Sequence, residues 1–276
     1  MEVESSTNVA ARDLTVVTKR KGIARLMVSI AIVHLSMVAV NFSGLMDHSS
    51  FNRAFSLDRE ATFNAWLSST LLVIIALGAG VAAYVERAAG HRRRIWMGWL
   101  VVGVAFFALS VDETASMHEM AGRFVDRFLD VPGLPGVYNW VLVVGPLALL
   151  FALLMAFWLV VAIGVRTTTS RMAMMALGLW VMVPLLEAAA PTLGSPLWLI
   201  AIEESFEVIG EVLMLGAVLV YLADRMPLHI GRSRALGEAD SESVPATWME
   251  SAHQDAQQPS PIKPNTTHYT RPASDD

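Results

Sequence analysis

The 276-residue chain has no cysteine. That excludes disulfides, thiolate metal sites, iron–sulfur clusters and covalently attached c-type haem, so any bound metal must be held by oxygen and imidazole. Charge is scarce as well. Asp, Glu, Lys and Arg make up 16% of the residues, against about a quarter in soluble domains, and long stretches carry none. There is no basic patch with interleaved aromatics, so nucleic acid is not an expected partner. No internal repeat and no Gly-rich phosphate loop is present. The net charge of -5 says little about partners, because seven of the acids lie in the last fifty residues.

Apolar surface is what the chain has in excess, at 54% of residues. A helix needs about 20 apolar residues to cross the hydrocarbon core. Six runs qualify or nearly do: Ile23 to Leu45, Phe63 to Val85, Ile95 to Val111, Val137 to Val165, Met172 to Ala190, and Ser205 to Ala223. The expected fold is therefore all-α, an integral membrane bundle of six transmembrane helices with the lipid bilayer as its main partner. Lys19, Arg20 and Lys21 precede a first run that is too long for a signal h-region and lacks a small-residue cleavage site, so it reads as a retained helix. The third run is short and is expected to continue as helix past Val111. The fifth contains Pro184, and the sixth opens on an acidic turn.

The basic residues set an expected orientation. Arg12, Lys19, Arg20, Lys21, Arg25, Arg87, Arg92 to Arg94, Arg166, Arg171, Arg225, Arg232 and Arg234 fall on one side, and Arg53, Arg59, Arg123 and Arg127 on the other, fourteen against four. By the positive-inside rule both termini are cytoplasmic, in a plasma (inner) membrane. The chain then divides into a cytoplasmic tail at 1–22, a transmembrane domain at 23–226 and a Ser/Pro/Gln/Asp-rich tail at 227–276. The last segment cannot bury enough surface to offset its ordering entropy and is expected to be disordered.

This topology puts the acids on the outer side. Asp47 and His48 follow the first helix, Asp58 and Glu60 precede the second, and Asp112, Glu113, His118 and Glu119 continue the third. Glu187 nears the end of the fifth, and Glu203, Glu204, Glu207 and Glu211 open the sixth. With Asp126 and Asp130 the outer half holds thirteen acids and four bases. At about 100° per residue, Glu203, Glu207 and Glu211 drift only about 80°, and Glu204 falls near Glu211. Four carboxylates thus share one face of an apolar helix, where like charges repel and ionised groups are costly. A cation, a set of protons or a water-filled vestibule must compensate. For Glu203 and Glu204 there is a plainer account, as solvated residues at a helix N-terminus. Glu211 is deeper, with hydrocarbon-type neighbours. On a continuous third helix Asp112, Ser116, Glu119, Arg123, Asp126 and Asp130 form one wet stripe, and Glu113 and His118 lie off it. Glu187 has no local basic partner.

The candidate metal or proton site is therefore Asp112, Glu113, His118, Glu119, Glu187, Glu204, Glu207 and Glu211, with Asp58, Glu60 and Glu203 at its periphery. Carboxylates with one imidazole suit Fe, Mn, Zn or Ca better than Cu(I). Neither Glu-x-x-His nor His-Glu-x-x-His is present, so the divalent-metal reading rests on charge balance. His34 lies mid-membrane and reads as a structural histidine hydrogen-bonded within the bundle.

Leu57-Asp-Arg-Glu60 with Trp66-Leu-Ser-Ser69, Leu109-Ser-Val-Asp-Glu113 with His118-Glu119, and Glu203-Glu204 with Glu207 and Gly210 give residues 50 to 222 a set of short motifs. In these the chain resembles a group of uncharacterised bacterial polytopic membrane proteins, with Leu-Asp-x-Glu, Ser-Leu-Asp-Glu followed by His-Glu, and Glu-Glu-x-x-Glu. It departs from that pattern at Val111, where Leu is usual, and at Asn64-Ala65, where a Pro is expected. The resemblance supports the site residues and implies no reaction.

The divalent-metal reading leads, with two alternatives. The leading reading is a divalent-metal site and metal-dependent membrane enzyme, with His118 and Glu207 or Glu211 as ligands and Glu113 as catalytic general base. A second is a cation or proton transporter or channel with the acids at its outer mouth. Six helices without a repeat is small for a secondary transporter, an objection a homo-oligomer answers. The third is an assembly or scaffold subunit whose acids pair with a partner's bases.

Overall fold

The computed structural model describes residues 2–43, 54–57, 62–128 and 140–242, with side chains throughout except at 2–18, 119, 126, 140, 143 and 227–242. All regular structure among them is helical. The helices are α1 (Glu2–Asn41), α2 (Phe63–Ala88), α3 (Arg93–Ala115), α4 (Met117–Asp126), α5 (Trp140–Trp158), α6 (Thr168–Ala189) and α7 (Leu197–Glu242). A π-helical turn at Leu159–Gly164 extends α5, and a 3₁₀ turn at Pro191–Leu193 follows α6. Six segments are long and apolar enough to cross a membrane: Lys19–Asn41, Phe63–Ala88, Arg93–Ala115, Val144–Gly164, Thr168–Ala189 and Leu197–Met226.

Local chemistry sets several of the helix ends. Thr62 caps α2 by accepting from the Ala65 N–H, and Thr167 caps α6 by accepting from the Ser170 N–H, each satisfying a donor that the first turn would leave open. Pro196 starts α7, its carbonyl accepting from Leu199 N–H at 2.9 Å.

Helices α2 and α7 are the most buried, and α1 and α5 the least. Close approach depends on small residues, as expected where both lipid and protein are apolar. A methyl group at Gly103 of α3 would stand 3.1 Å from the Ala76 carbonyl of α2, and one at Gly78 would stand 2.7 Å from Val218 of α7. Ile75, Ala79, Phe106, Leu159, Ala176, Met214 and Val218 are fully buried at the centre. Ser69 and Ser110 bolt α2 to α3, their hydroxyls 2.9 Å apart and each also donating to the other's carbonyl. These contacts bring the end of α3 to the start of α2. At the same end lie the end of α1 and the start of α7, and it is called the acidic end below.

Two expectations change. The last transmembrane helix begins at Leu197, not Ser205, because Leu197 to Ile202 is itself apolar and follows a proline start. Glu203 and Glu204 are therefore nearly two turns inside a helix, not at its N-terminus. The third helix continues past Val111 as expected, but not as one stripe to Asp130. It stops at Ala115, and Ser116 adopts a left-handed conformation (φ 50°) before α4 begins. Residues 2–22 and 227–242, within the segments expected as tails, are helical. Once a transmembrane helix has borne the cost of nucleation, each further residue adds a hydrogen bond at little expense. The tail from 243 onward, Asp47, His48, Asp58, Glu60 and Asp130 lie outside the described residues.

Candidate functional site at the acidic end

Asp112 shapes the third-helix contribution. Its Oδ1 accepts from the His118 backbone N–H at 2.7 Å and its Oδ2 lies 2.9 Å from His118 Nδ1, while its carbonyl accepts from Ser116 N–H. One carboxylate thus makes the break between α3 and α4 and fixes the imidazole. The Glu119 side chain lies outside the described ones.

Helix α7 supplies the other wall. Trp180 of α6 lies over Gly210, where a methyl would come 2.7 Å from the indole nitrogen, and that nitrogen donates to the Glu207 carbonyl at 3.1 Å. The absence of a side chain at Gly210 therefore sets the spacing of α6 and α7. With it comes Glu187 near Glu203 and Glu207: the charge of Glu187 acts on both. Glu207 also senses Asp112 and His118, and Glu113 acts on both Glu204 and Glu211. Asp112, Glu113, His118, Glu187, Glu203, Glu204, Glu207 and Glu211 thus form one electrostatic cluster drawn from α3, α4, α6 and α7. Among the described residues, no Lys or Arg contributes to the charge environment of the four α7 carboxylates.

Two members have polar partners that the linear sequence does not single out. Glu204 Oε2 accepts from Asn64 Nδ2 at 2.6 Å, and Glu211 Oε1 accepts from the Ser68 hydroxyl. Glu211 is fully buried, and its Oε2 has no hydrogen-bond partner among the described residues. Asn64 in turn faces His34, whose Nδ1 is 3.2 Å from Asn64 Oδ1. Asn64 and Ser68 lie four residues apart on one face of α2, and an i,i+4 polar pair in a membrane helix is the sequence signal for them.

Among the described residues no three His, Asp or Glu side chains converge closely enough to hold a metal ion. His118 and Asp112 hold each other, and Glu204 and Glu211 each take a neutral donor from α2.

No curated protein and no solved structure matches the chain. Residues 25–222, which include every helix wall of the acidic cluster, match the family model of a domain of unknown function (DUF8692), and the chain belongs to that family.

Proposed function

We propose that this multi-pass membrane protein exchanges protons through the carboxylates of its acidic end, which faces outward, and that Glu211 is the innermost proton-binding group of that set. One observation carries the reading: among the described residues, a fully buried carboxyl has a single neutral donor, an oxygen with no hydrogen-bond partner, and the carboxylates of Glu207 and Glu113 as the charges that act on it. An ionised carboxylate without a counter-charge costs several kcal/mol even after relaxation, and in a membrane such a group marks an ion or proton path. A proton removes the charge and fills the open oxygen. Glu203, Glu204 and Glu207 are half-buried and form the route by which protons reach it.

Beyond Glu211 the way is apolar. Met214, Leu215 and Val218 are buried before Tyr221, an interval of about 15 Å along α7 at 1.5 Å per residue. This conformation is closed toward the other end, and proton passage requires that layer to open or take in water.

Purified protein in liposomes with an entrapped pH dye tests the reading. Wild type is expected to dissipate an imposed pH gradient well above empty liposomes, and Glu211→Gln, which keeps shape and loses the acid, is expected to fall to the empty level. Equal rates for wild type and empty liposomes overturn it. Elemental analysis of the same preparations covers the competing outcome: a stoichiometric metal lost in Glu207→Ala makes the cluster a divalent-metal centre, which its donor chemistry allows.

A further inference from the structure

Beside the cluster, His34, Asn64, Glu204 and Ser205 form a hydrogen-bonded chain across α1, α2 and α7, with His34 and Asn64 buried. The Ser205 hydroxyl donates to the Ala201 carbonyl at 2.6 Å. His34 Nε2 stands 3.2 Å from the same hydroxyl oxygen, and His34 Nδ1 stands 3.2 Å from Asn64 Oδ1. Asn64 Nδ2 stands 2.6 Å from Glu204 Oε2.

Counting donors shows which protonation states the chain accepts while the Ser205 hydroxyl donates to Ala201. A hydroxyl has one hydrogen, and Ser205 spends it on Ala201, so Nε2 of His34 must donate toward Ser205. Two patterns then satisfy every contact. In the first, Asn64 donates to ionised Glu204 and accepts from Nδ1–H, so His34 is an imidazolium. In the second, the amide is turned by 180°: protonated Glu204 donates to Oδ1, and the amide nitrogen donates to a bare Nδ1. A turned amide beside an ionised Glu204 would set two acceptors 2.6 Å apart and fails. Both surviving patterns hold one proton more than ionised Glu204 with neutral His34, and they differ only in moving one proton from His34 to Glu204 as the amide turns. The deprotonated chain has a different arrangement, in which His34 carries its hydrogen on Nδ1 and Ser205 turns to donate to Nε2.

We propose that the His34–Asn64–Glu204 chain binds one exchangeable proton as a unit, and that the orientation of the Asn64 amide reports where that proton sits. Its place in a proton path rests on the function proposed above. Exchange runs through Glu204, which is half-buried and faces Glu203, Glu207 and Glu113. Ser205 also lines an open groove between α1 and α7 whose other walls are apolar, among them Val38, Phe42, Trp198 and Phe206.

Nitrogen-15 NMR of histidine-labelled full-length protein in lipid nanodiscs tests this, with the His34 signal assigned by its loss in His34→Gln. At neutral pH the ring is expected as imidazolium or as the Nε2–H tautomer, converting to the Nδ1–H tautomer as pH rises. Glu204→Gln, which cannot ionise, is expected to abolish the pH-driven change of the His34 tautomer. Asn64→Leu is expected to make the His34 titration indifferent to Glu204→Gln. An Nδ1–H tautomer at every pH, or a wild-type titration unchanged by Glu204→Gln, overturns the proposal. The signature is read without any flux, and Glu211→Gln is expected to leave it intact. A protein that carries the signature but moves no protons therefore keeps this inference and loses the proposed function.

Discussion

The Tyr221 hydroxyl of α7 donates to Oε1 of Glu86 on α2 at 2.5 Å, at the end of the bundle opposite the carboxylate cluster. Glu86 is fully buried, its Oε2 is 2.5 Å from His91 Nδ1, and Arg225 Nε is 3.5 Å from Oε1. Here a buried acid has two basic partners and a phenol, in contrast to Glu211 ten residues earlier than Tyr221 on the same helix. Glu86 ties α2, the α2–α3 turn and α7 together, whereas Glu211 has one hydrogen-bonded oxygen and is, in the function proposed above, the group that takes a proton.

Tyr221→Phe removes one donor from this tie and leaves the carboxylate with His91 and Arg225. A buried hydrogen bond to a charged group is worth about 1.5–3 kcal/mol. The variant is expected to lose stability on that scale, seen as a lower thermal midpoint in detergent by tryptophan fluorescence. An unchanged midpoint would show that the Glu86 tie does not hold the helices.

Ser68→Ala leaves both oxygens of Glu211 without a donor. Loss of a hydrogen bond worth about 1.5 kcal/mol corresponds to roughly a tenfold change in an equilibrium. Proton flux in liposomes is expected to change by about that factor while the protein stays folded, and Ser68→Thr, which keeps the hydroxyl, is expected to restore it. A variant with wild-type flux would sever Ser68 from the proposed route.

Ser116 occupies the left-handed region at φ 50°, where a residue with a Cβ is disfavoured by about 1–2 kcal/mol. Ser116→Gly is expected to be neutral or stabilising, and Ser116→Val destabilising, in thermal unfolding. Asp112→Ala removes the acceptor for the His118 N–H and is expected to cost about 0.5–2 kcal/mol, the range for a lost cap. Equal behaviour of the glycine and valine variants would mean that the break between α3 and α4 is not maintained in the bilayer.

Gly210→Ala would place a methyl 2.7 Å from the Trp180 indole nitrogen. The ring must shift, and overpacking of this kind costs about 1–3 kcal/mol. Gly80, whose added methyl would meet nothing within 4 Å, serves as the control: Gly80→Ala is expected to leave stability within error or to raise it. Comparable losses at both positions would refute the close approach of α6 to α7.

The absence of cysteine makes orientation directly measurable. A single cysteine at Thr192, in the exposed turn after α6, is expected to react with a membrane-impermeant maleimide added outside cells. One at Ala88, at the other end of α2, is expected to react only after permeabilisation. The reverse pattern would invert the proposed outward-facing site.

The helix number and most helix extents were legible because hydrophobic length is a local property, read residue by residue. The four α7 carboxylates were legible for the same reason, since the 3.6-residue period places them on one face whatever surrounds them. The start of α7 lies nearly two turns before its acids, because the apolar Leu197 to Ile202 and the preceding proline set the helix. The Ser116 break was hidden because Asp112 makes it with hydrogen bonds to His118, six residues on, in a segment whose composition permits a continuous helix.

From the sequence alone, then, come the lipid environment, the all-helical fold and the gathering of acids toward one end, all consequences of composition and local period. Tertiary structure alone decided which acids are tied and which are open. The partners of Glu204, Glu211 and Ser205 lie 140, 143 and 171 residues away on other helices. A hydrogen bond depends on a distance and an angle between side chains, and those are set by how helices pack against one another, which no pattern within a single helix carries.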